Sequence, residues 1–103
     1  MMNKEIKSFQ DFIAFIDENY HFTPTAFKNG NHFNQAGENN GSCKVFAYAK
    51  QEQLSQKDTL ELFGQYYQDV QNTPEGTDHQ NIRNFMIFGW DGIQFERVAL
   101  VKK

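Results

Sequence analysis

A single cysteine and a histidine flanked by aspartate are the residues in this chain whose chemistry is most specific. Cys43 lies between Ser42 and Lys44. A helix capped by Ser42 would hold the thiol in its first turn, where the dipole and the Lys44 ammonium favour thiolate. His79 is the candidate base, with Asp78 or Asn81 to orient it, which writes a small Cys-His hydrolase or transferase. Against this, free cysteines are among the most buried residue types, and no spacing ties Cys43 to His79. Packing is the preferred reading of Cys43, and the chain leans away from enzyme activity.

Two polar segments carry more weight. Thr77–Asn84 reads Thr-Asp-His-Gln-Asn-Ile-Arg-Asn, with Ile82 as its only apolar residue. A helix starting there would aim backbone N–H groups at an anion, and Arg83 could reach the same ligand. Helix capping accounts for Thr77, Asp78 and Gln80. It leaves His79, Asn81, Arg83 and Asn84, which join Asn39, Ser42 and Lys44 as the expected ligand-binding set. The loop Gly37–Ser42 and the helix start Thr77–Arg83 are expected to face one another. Asn29–Asn31 and Asn34–Asn40 could rim a polar pocket, although Asn and Gly are also ordinary turn residues.

The possible soft metal ligands, His21, His32, Cys43 and His79, lack any paired spacing, so neither a metal nor another cofactor is expected. Gly37 and Gly41 do not make a phosphate loop. The formal charge is -3, and the 10 basic residues are scattered. Clustered Lys and Arg would be needed to capture nucleic acid or an anionic membrane. The expected partner is therefore a protein or a small anionic ligand, and the sequence leaves the oligomeric state open. No apolar run approaches a membrane span, Met1–Lys7 is no Sec-type signal, and a lone thiol suits a reducing compartment. Cytoplasmic residence is the expectation.

The elements that must position these residues read as one α+β domain over residues 1–103. It has about four helices and a small, largely antiparallel sheet. Eleven phenylalanines and an aromatic content of 16% supply the core, since each ring buries roughly 150–250 Å². Ser8 with Asp11 caps a first helix bearing Phe9, Phe12, Ile13, Ile16 and Tyr20. Asn29-Gly30 predicts a type I′ hairpin pairing Ala26–Lys28 with Asn31–Phe33. A helix runs from Ser42 to about Gln53. Ser55 with Asp58 starts another, striped by Leu60, Phe63, Tyr67 and Val70. Thr77 with Gln80 opens a last helix that buries Ile82, Phe85 and Met86 and stops at Gly89. Ile93–Phe95 and Val98–Val101 read as strands, and Trp90 is expected behind the last helix.

Several of these segments together resemble a known family. Phe22-Thr-Pro-Thr-Ala-Phe27, Gly41-Ser-Cys-Lys44 and Thr59-Leu60 with Phe63-Gly-Gln-Tyr-Tyr67 look like signatures of the HopJ-type family. Gly76-Thr-Asp-His-Gln-Asn-Ile-Arg-Asn-Phe85 and Gly89-Trp-Asp-Gly92 with Ile93 and Phe95 continue the pattern. The resemblance covers about residues 9 to 100. That family takes its name from a bacterial type III secretion effector, so it implies a bacterial protein and no particular reaction. It adds a further reading, an effector acting in a host cell. Met1–Lys7, short and charged, does not look like the flexible Ser-rich leader of such effectors.

Overall fold

Ser8 opens the first helix, α1 (Phe9–Asn19), by accepting a hydrogen bond from the Asp11 amide at 3.1 Å. The structure is a computed structural model that describes residues 8–103. The reading of Met1–Lys7 lies outside the described residues. Phe12 and Ile16 carry the buried stripe of α1. Tyr20 continues that stripe in sequence but leaves the helix with φ -135° and starts β1 (Tyr20–Phe22), still buried. β1 pairs antiparallel with β5 (Leu100–Lys102) at the other end of the chain.

A second antiparallel sheet has the order β3-β2-β4, formed by β2 (Phe27–Asn29), β3 (His32–Asn34) and β4 (Ile93–Phe95). The hairpin register is one residue later than the Asn29-Gly30 turn predicts. Asn29 pairs with His32, Gly30-Asn31 makes the turn, and only Gly30 takes positive φ, at +64°. Glycine first in the turn is the type II′ pattern. The shift follows from Asn29, whose side chain is drawn inward to Asn81, and from the Gly30 amide, which donates to Gly92 O at 2.9 Å. The ring of Phe88 lies where a Gly30 Cβ would stand, 2.2 Å from that position.

The remaining helices are α2 (Asn40–Gln51), α3 (Gln56–Glu61), α4 (Gln65–Asn72) and α5 (Gln80–Phe88), and a 3₁₀ turn over Gly89–Gly92 leads into β4. The continuous helix expected from Ser55 through Val70 is two. Ser55 does cap α3, accepting from the Asp58 amide. The chain then breaks at Gly64, with φ 58° and ψ -125°. The start of α1 packs so closely there that a Cβ would lie 2.9 Å from Phe9 N, and Gln65 Oε1 accepts the Phe9 amide at 3.2 Å.

The core is built on aromatic rings, as the composition requires. Phe46 of α2 is ringed by Phe27, Phe63, Phe85 and Trp90, with centroids 4.9–6.5 Å away. Trp90 packs edge-on against Phe85 and donates its indole N–H to Leu54 O. Met86 does not join this core: it is 40% exposed, as Ile87 and Phe88 also are to a large extent. The inward face of α5 is instead Asn81, Ile82, Asn84 and Phe85. Two asparagines occupy places that the sequence pattern gives to apolar residues.

Candidate functional site

The starts of α2 and α5 are built alike, and neither follows the capping expected from the sequence. Ser42 is not a cap: α2 begins at Asn40, after Asn39 in the left-handed conformation with φ 51°. The α5 helix begins at Gln80, after His79 with φ 52°, and Gln80 Nε2 reaches back to Thr77 O. Neither Asn39 nor His79 caps its helix with a side-chain bond. A non-glycine residue held in this region costs on the order of 1 kcal/mol or more. The first i→i−4 bonds of the two helices are Cys43 N to Asn39 O at 3.0 Å and Arg83 N to His79 O at 3.1 Å, and the Ile82 amide also donates to His79 O at 3.0 Å. The amides of Asn40, Gly41 and Ser42, and those of Gln80 and Asn81, precede the i→i−4 ladder.

Both helix starts open on one cleft of about 330 Å³. Asn39, Gly41 and Ser42 line it from α2, and His79, Gln80, Asn81 and Ile82 from α5. Phe9, Phe63 and Tyr66 give it an aromatic wall, and His32 enters from β3. At Gly41 a Cβ would lie 2.8 Å from the Phe9 ring, so the bare backbone lets that ring come close. The His79 ring sits 5.4 Å from Tyr66. Its Nε2 is 3.7 Å from an Asp78 oxygen and 4.0 Å from one of Asp69.

Beneath the cleft lies a buried asparagine network. Asn81 Oδ1 accepts from Asn29 Nδ2 at 3.0 Å and from Asn34 Nδ2 at 3.1 Å. Asn81 Nδ2 returns a bond to Asn34 Oδ1 at 3.0 Å, and Asn39 Nδ2 donates to the same oxygen at 2.7 Å. The left-handed residue ahead of α2 is thus tied through Asn34 to the first turn of α5. Asn29 Oδ1 is the one buried side-chain polar atom among the described residues that lacks a hydrogen-bond partner.

Of the expected ligand-binding set, Asn39, Ser42, His79 and Asn81 line this cleft, and Lys44, Arg83 and Asn84 do not. Arg83 is corrected from ligand reader to clamp. Its guanidinium donates to Asp78 Oδ1 and O and to Thr73 O and Oγ1, at 2.6–3.1 Å. That bond from Arg83 holds the Asp78 carboxyl below its ordinary range. The bond to the Asp78 carboxylate is therefore fully present at neutral pH and weakens as pH falls through the lowered value, while the bonds to Asp78 O, Thr73 O and Thr73 Oγ1 do not titrate. Asp78, the candidate orienter of His79, is bound to Arg83 through Oδ1, with its other oxygen 3.7 Å from His79 Nε2. Lys44 turns to Asp17 at 2.9 Å and lies over the Phe22 ring. Asn84 is buried, donating to Asn29 O and Asn31 Oδ1. Asn29 and Asn34 are interior tethers rather than pocket rim.

Cys43 takes the packing role preferred from the sequence, although not at a helix capped by Ser42. With helix α2 beginning at Asn40, the thiol lies beyond the first residues and faces the core, 1% exposed. It does not line the cleft that holds His79. Burial pushes its pKa up to about 11, outweighing a Thr25 backbone hydrogen bond and the Lys44 charge. Against an ordinary value near 9, about a hundredfold less thiolate is present at neutral pH. Alkylation of Cys43 is expected to be at least about a hundredfold slower in the folded protein than in denaturant. Equal rates would contradict this placement of the thiol.

Sequence reasoning missed Phe9, His32, Phe63 and Tyr66 as cleft residues. Each reads locally as core, hairpin or helix stripe, and only the packing of α1 and α4 beside α5 brings them together. Among the described residues no group of three His, Cys, Asp or Glu side chains is placed to hold a metal ion. None of their helices is long and apolar enough to cross a membrane.

The motif blocks read from the sequence agree with a family model. A model described as HopJ type III effector protein matches residues 1–100. The chain belongs to the HopJ family. This HopJ-family chain is also similar to a solved protein, described as "Crystal structure of unknown function protein VPA0580". Identity is 55% and the TM-score 0.92, over 93% of this chain and 81% of that one. No curated protein matches the chain. In HopJ terms, the Gly41–Lys44 and Gly76–Phe85 blocks are the two segments that carry the starts of α2 and α5.

Proposed function

We propose that this HopJ-family chain is a cytoplasmic binding module that seats an anionic group of a small ligand between α2 and α5. The observation that carries the reading is the meeting of two helix starts at one cleft. Each is entered through a left-handed non-glycine residue, and neither has a side-chain cap. One helix terminus favours an anion by about 0.3–1 kcal/mol, more when partly buried. Bonds from N–H groups to a charged acceptor add about 1.5–3 kcal/mol each. Together they bring bare phosphate near the roughly 4 kcal/mol of millimolar binding. Phe9 and Tyr66 offer apolar contact to the rest of a ligand, which is where tighter binding would arise. The carboxylates that approach His79, those of Asp69 and Asp78, do not line the cleft.

Thermal melting with inorganic phosphate tests this. At about ten times the dissociation constant, binding stabilises by roughly 1.4 kcal/mol and raises Tm by several degrees. Phosphate also stabilises folded proteins in general, so Ser42→Glu serves as the control. A carboxylate in the first turn of α2 suits the helix while placing negative charge in the cleft. The wild type should gain clearly more than the variant, and equal gains would overturn the reading.

The description of the family as type III effector proteins favours a second reading, delivery into a host cell. A secretion assay on the chain with its native N-terminus tests it. Export that depends on the type III apparatus supports that reading, and retention in the producing cell overturns it.

A further inference from the structure

The sequence contains two Asn-Gly steps, Asn29-Gly30 and Asn40-Gly41, and the fold treats them oppositely. We infer that Asn40 is a site of spontaneous deamidation at the edge of the cleft, while Asn29, with the same sequence step, is protected. In this reaction the backbone nitrogen of the following residue adds to the Asn side-chain Cγ. The Cγ–Nδ2 bond breaks, and Nδ2 leaves as ammonia with the proton of the attacking amide. The resulting succinimide is opened by water at one carbonyl or the other, giving aspartate or isoaspartate. The step therefore needs a free backbone N–H at the next residue, an unrestrained Asn side chain, little steric bulk after it and a backbone that can open locally.

Asn40-Gly41 meets each requirement. Asn40 is exposed and is the first residue of α2. The Gly41 amide precedes the first bond of the helix ladder, Cys43 N to Asn39 O. Asn40 has no side-chain bond to any described residue, whereas Asn39 beside it is tied to Asn34. The helical conformation must open for the attack. The first turn is the cheapest part of a helix to open, and here it has no side-chain cap.

Asn29-Gly30 fails on the same points. Asn29 is fully buried in β2, and its Nδ2 is held by Asn81 O at 2.9 Å and Asn81 Oδ1 at 3.0 Å. The Gly30 nitrogen is engaged with Gly92 O at 2.9 Å. Reaction there requires opening of the sheet and the asparagine network.

Conversion of Asn40 adds one negative charge between two cleft residues, Asn39 and Gly41. In the isoaspartyl form it also inserts an extra backbone carbon ahead of the Gly41 and Ser42 amides. That outcome would weaken phosphate binding, a consequence that rests on the proposed cleft function, whereas the deamidation itself does not.

The experiment is incubation of the folded chain at mildly alkaline pH, followed by peptide mapping. Cleavage after Glu38 places Asn29 and Asn40 on separate peptides. Asn40 is expected to convert at least about ten times faster than Asn29, because Asn29 reacts only through larger openings. In denaturant the two rates should converge, and Asn40→Gln should remove the fast phase in the folded chain. Comparable rates in the folded protein, or an Asn40 that does not convert, would overturn the inference. Asn40 conversion with an unchanged phosphate response would leave the modification standing and count against the cleft reading alone.

Discussion

Replacing Asn81 with alanine is expected to lower Tm by roughly 10–20 °C, corresponding to a loss of about 2–4 kcal/mol. The substitution deletes three side-chain bonds at once: those that Asn81 Oδ1 accepts from Asn29 and Asn34, and the one its Nδ2 gives to Asn34. Asn29 Nδ2 keeps the backbone carbonyl of residue 81, and Asn34 Oδ1 keeps Asn39. Asn34 Nδ2 retains only Phe27 O at 3.5 Å, which is at the limit of a hydrogen bond. It becomes a buried donor with almost no partner, and such a group costs about 1–3 kcal/mol apart from the bonds lost. Thermal or urea unfolding measures the effect. A loss under about 1 kcal/mol would contradict the network's assigned role. Asn81→Asp gives a signature of polar pairing: the ionised carboxylate faces Asn34 Oδ1, which can only accept. Folding then raises the carboxyl pKa, so the variant should recover stability as pH falls.

Gly64→Ala is expected to cost about 2–4 kcal/mol, combining a backbone that only glycine adopts easily with a collision. The new Cβ would stand 2.9 Å from Phe9 N and 3.4 Å from Ser8 C, both main-chain atoms at the start of α1. Main chain cannot rotate away as a side-chain end can. Relief would require α1 to withdraw from the α3–α4 junction, loosening Phe9 against Phe63 and Tyr66. Gly37→Ala is the companion measurement, with φ +93° and open space around its Cβ. It isolates the conformational cost, about 1 kcal/mol. Equal losses at the two positions would show that the approach of α1 adds nothing.

These two positions also show where local reading of the sequence ends. Ser8 with Asp11 and Ser55 with Asp58 were legible as caps because the signal and its partner lie within one turn. The aromatic core was legible from composition, and the family from blocks spread along the chain. Nothing local marks Gly64 as a break, because the stripe of Leu60, Phe63, Tyr67 and Val70 continues across it. What breaks the helix is α1, more than fifty residues earlier in the chain. Thr77-Asp78-His79-Gln80 has the composition of a cap, yet Arg83 captures Asp78 and His79 turns left-handed, moving the start to Gln80.

The candidate site was legible in the same partial way. Segments Asn39–Lys44 and Thr77–Asn84 do line one cleft, through Asn39, Ser42, His79 and Asn81. Asn81 also works inward, and Asn84 and Arg83 serve the fold, because polar type does not tell whether a side chain meets ligand or backbone. Asn29 and Asn34 are the clearest instance. Turn-type residues by composition, they are 0% exposed and hold β2 and β3 to α5.

In the proposed seat, the unladdered amides of two helices hold one anion. Amide-resolved NMR during a titration with inorganic phosphate tests it most directly. Saturating shifts are expected, concentrated on Asn40, Gly41, Ser42, Gln80 and Asn81, with one shared dissociation constant in the millimolar range or tighter. Shifts that never saturate, or that spread over the lysines and leave those amides still, would contradict it.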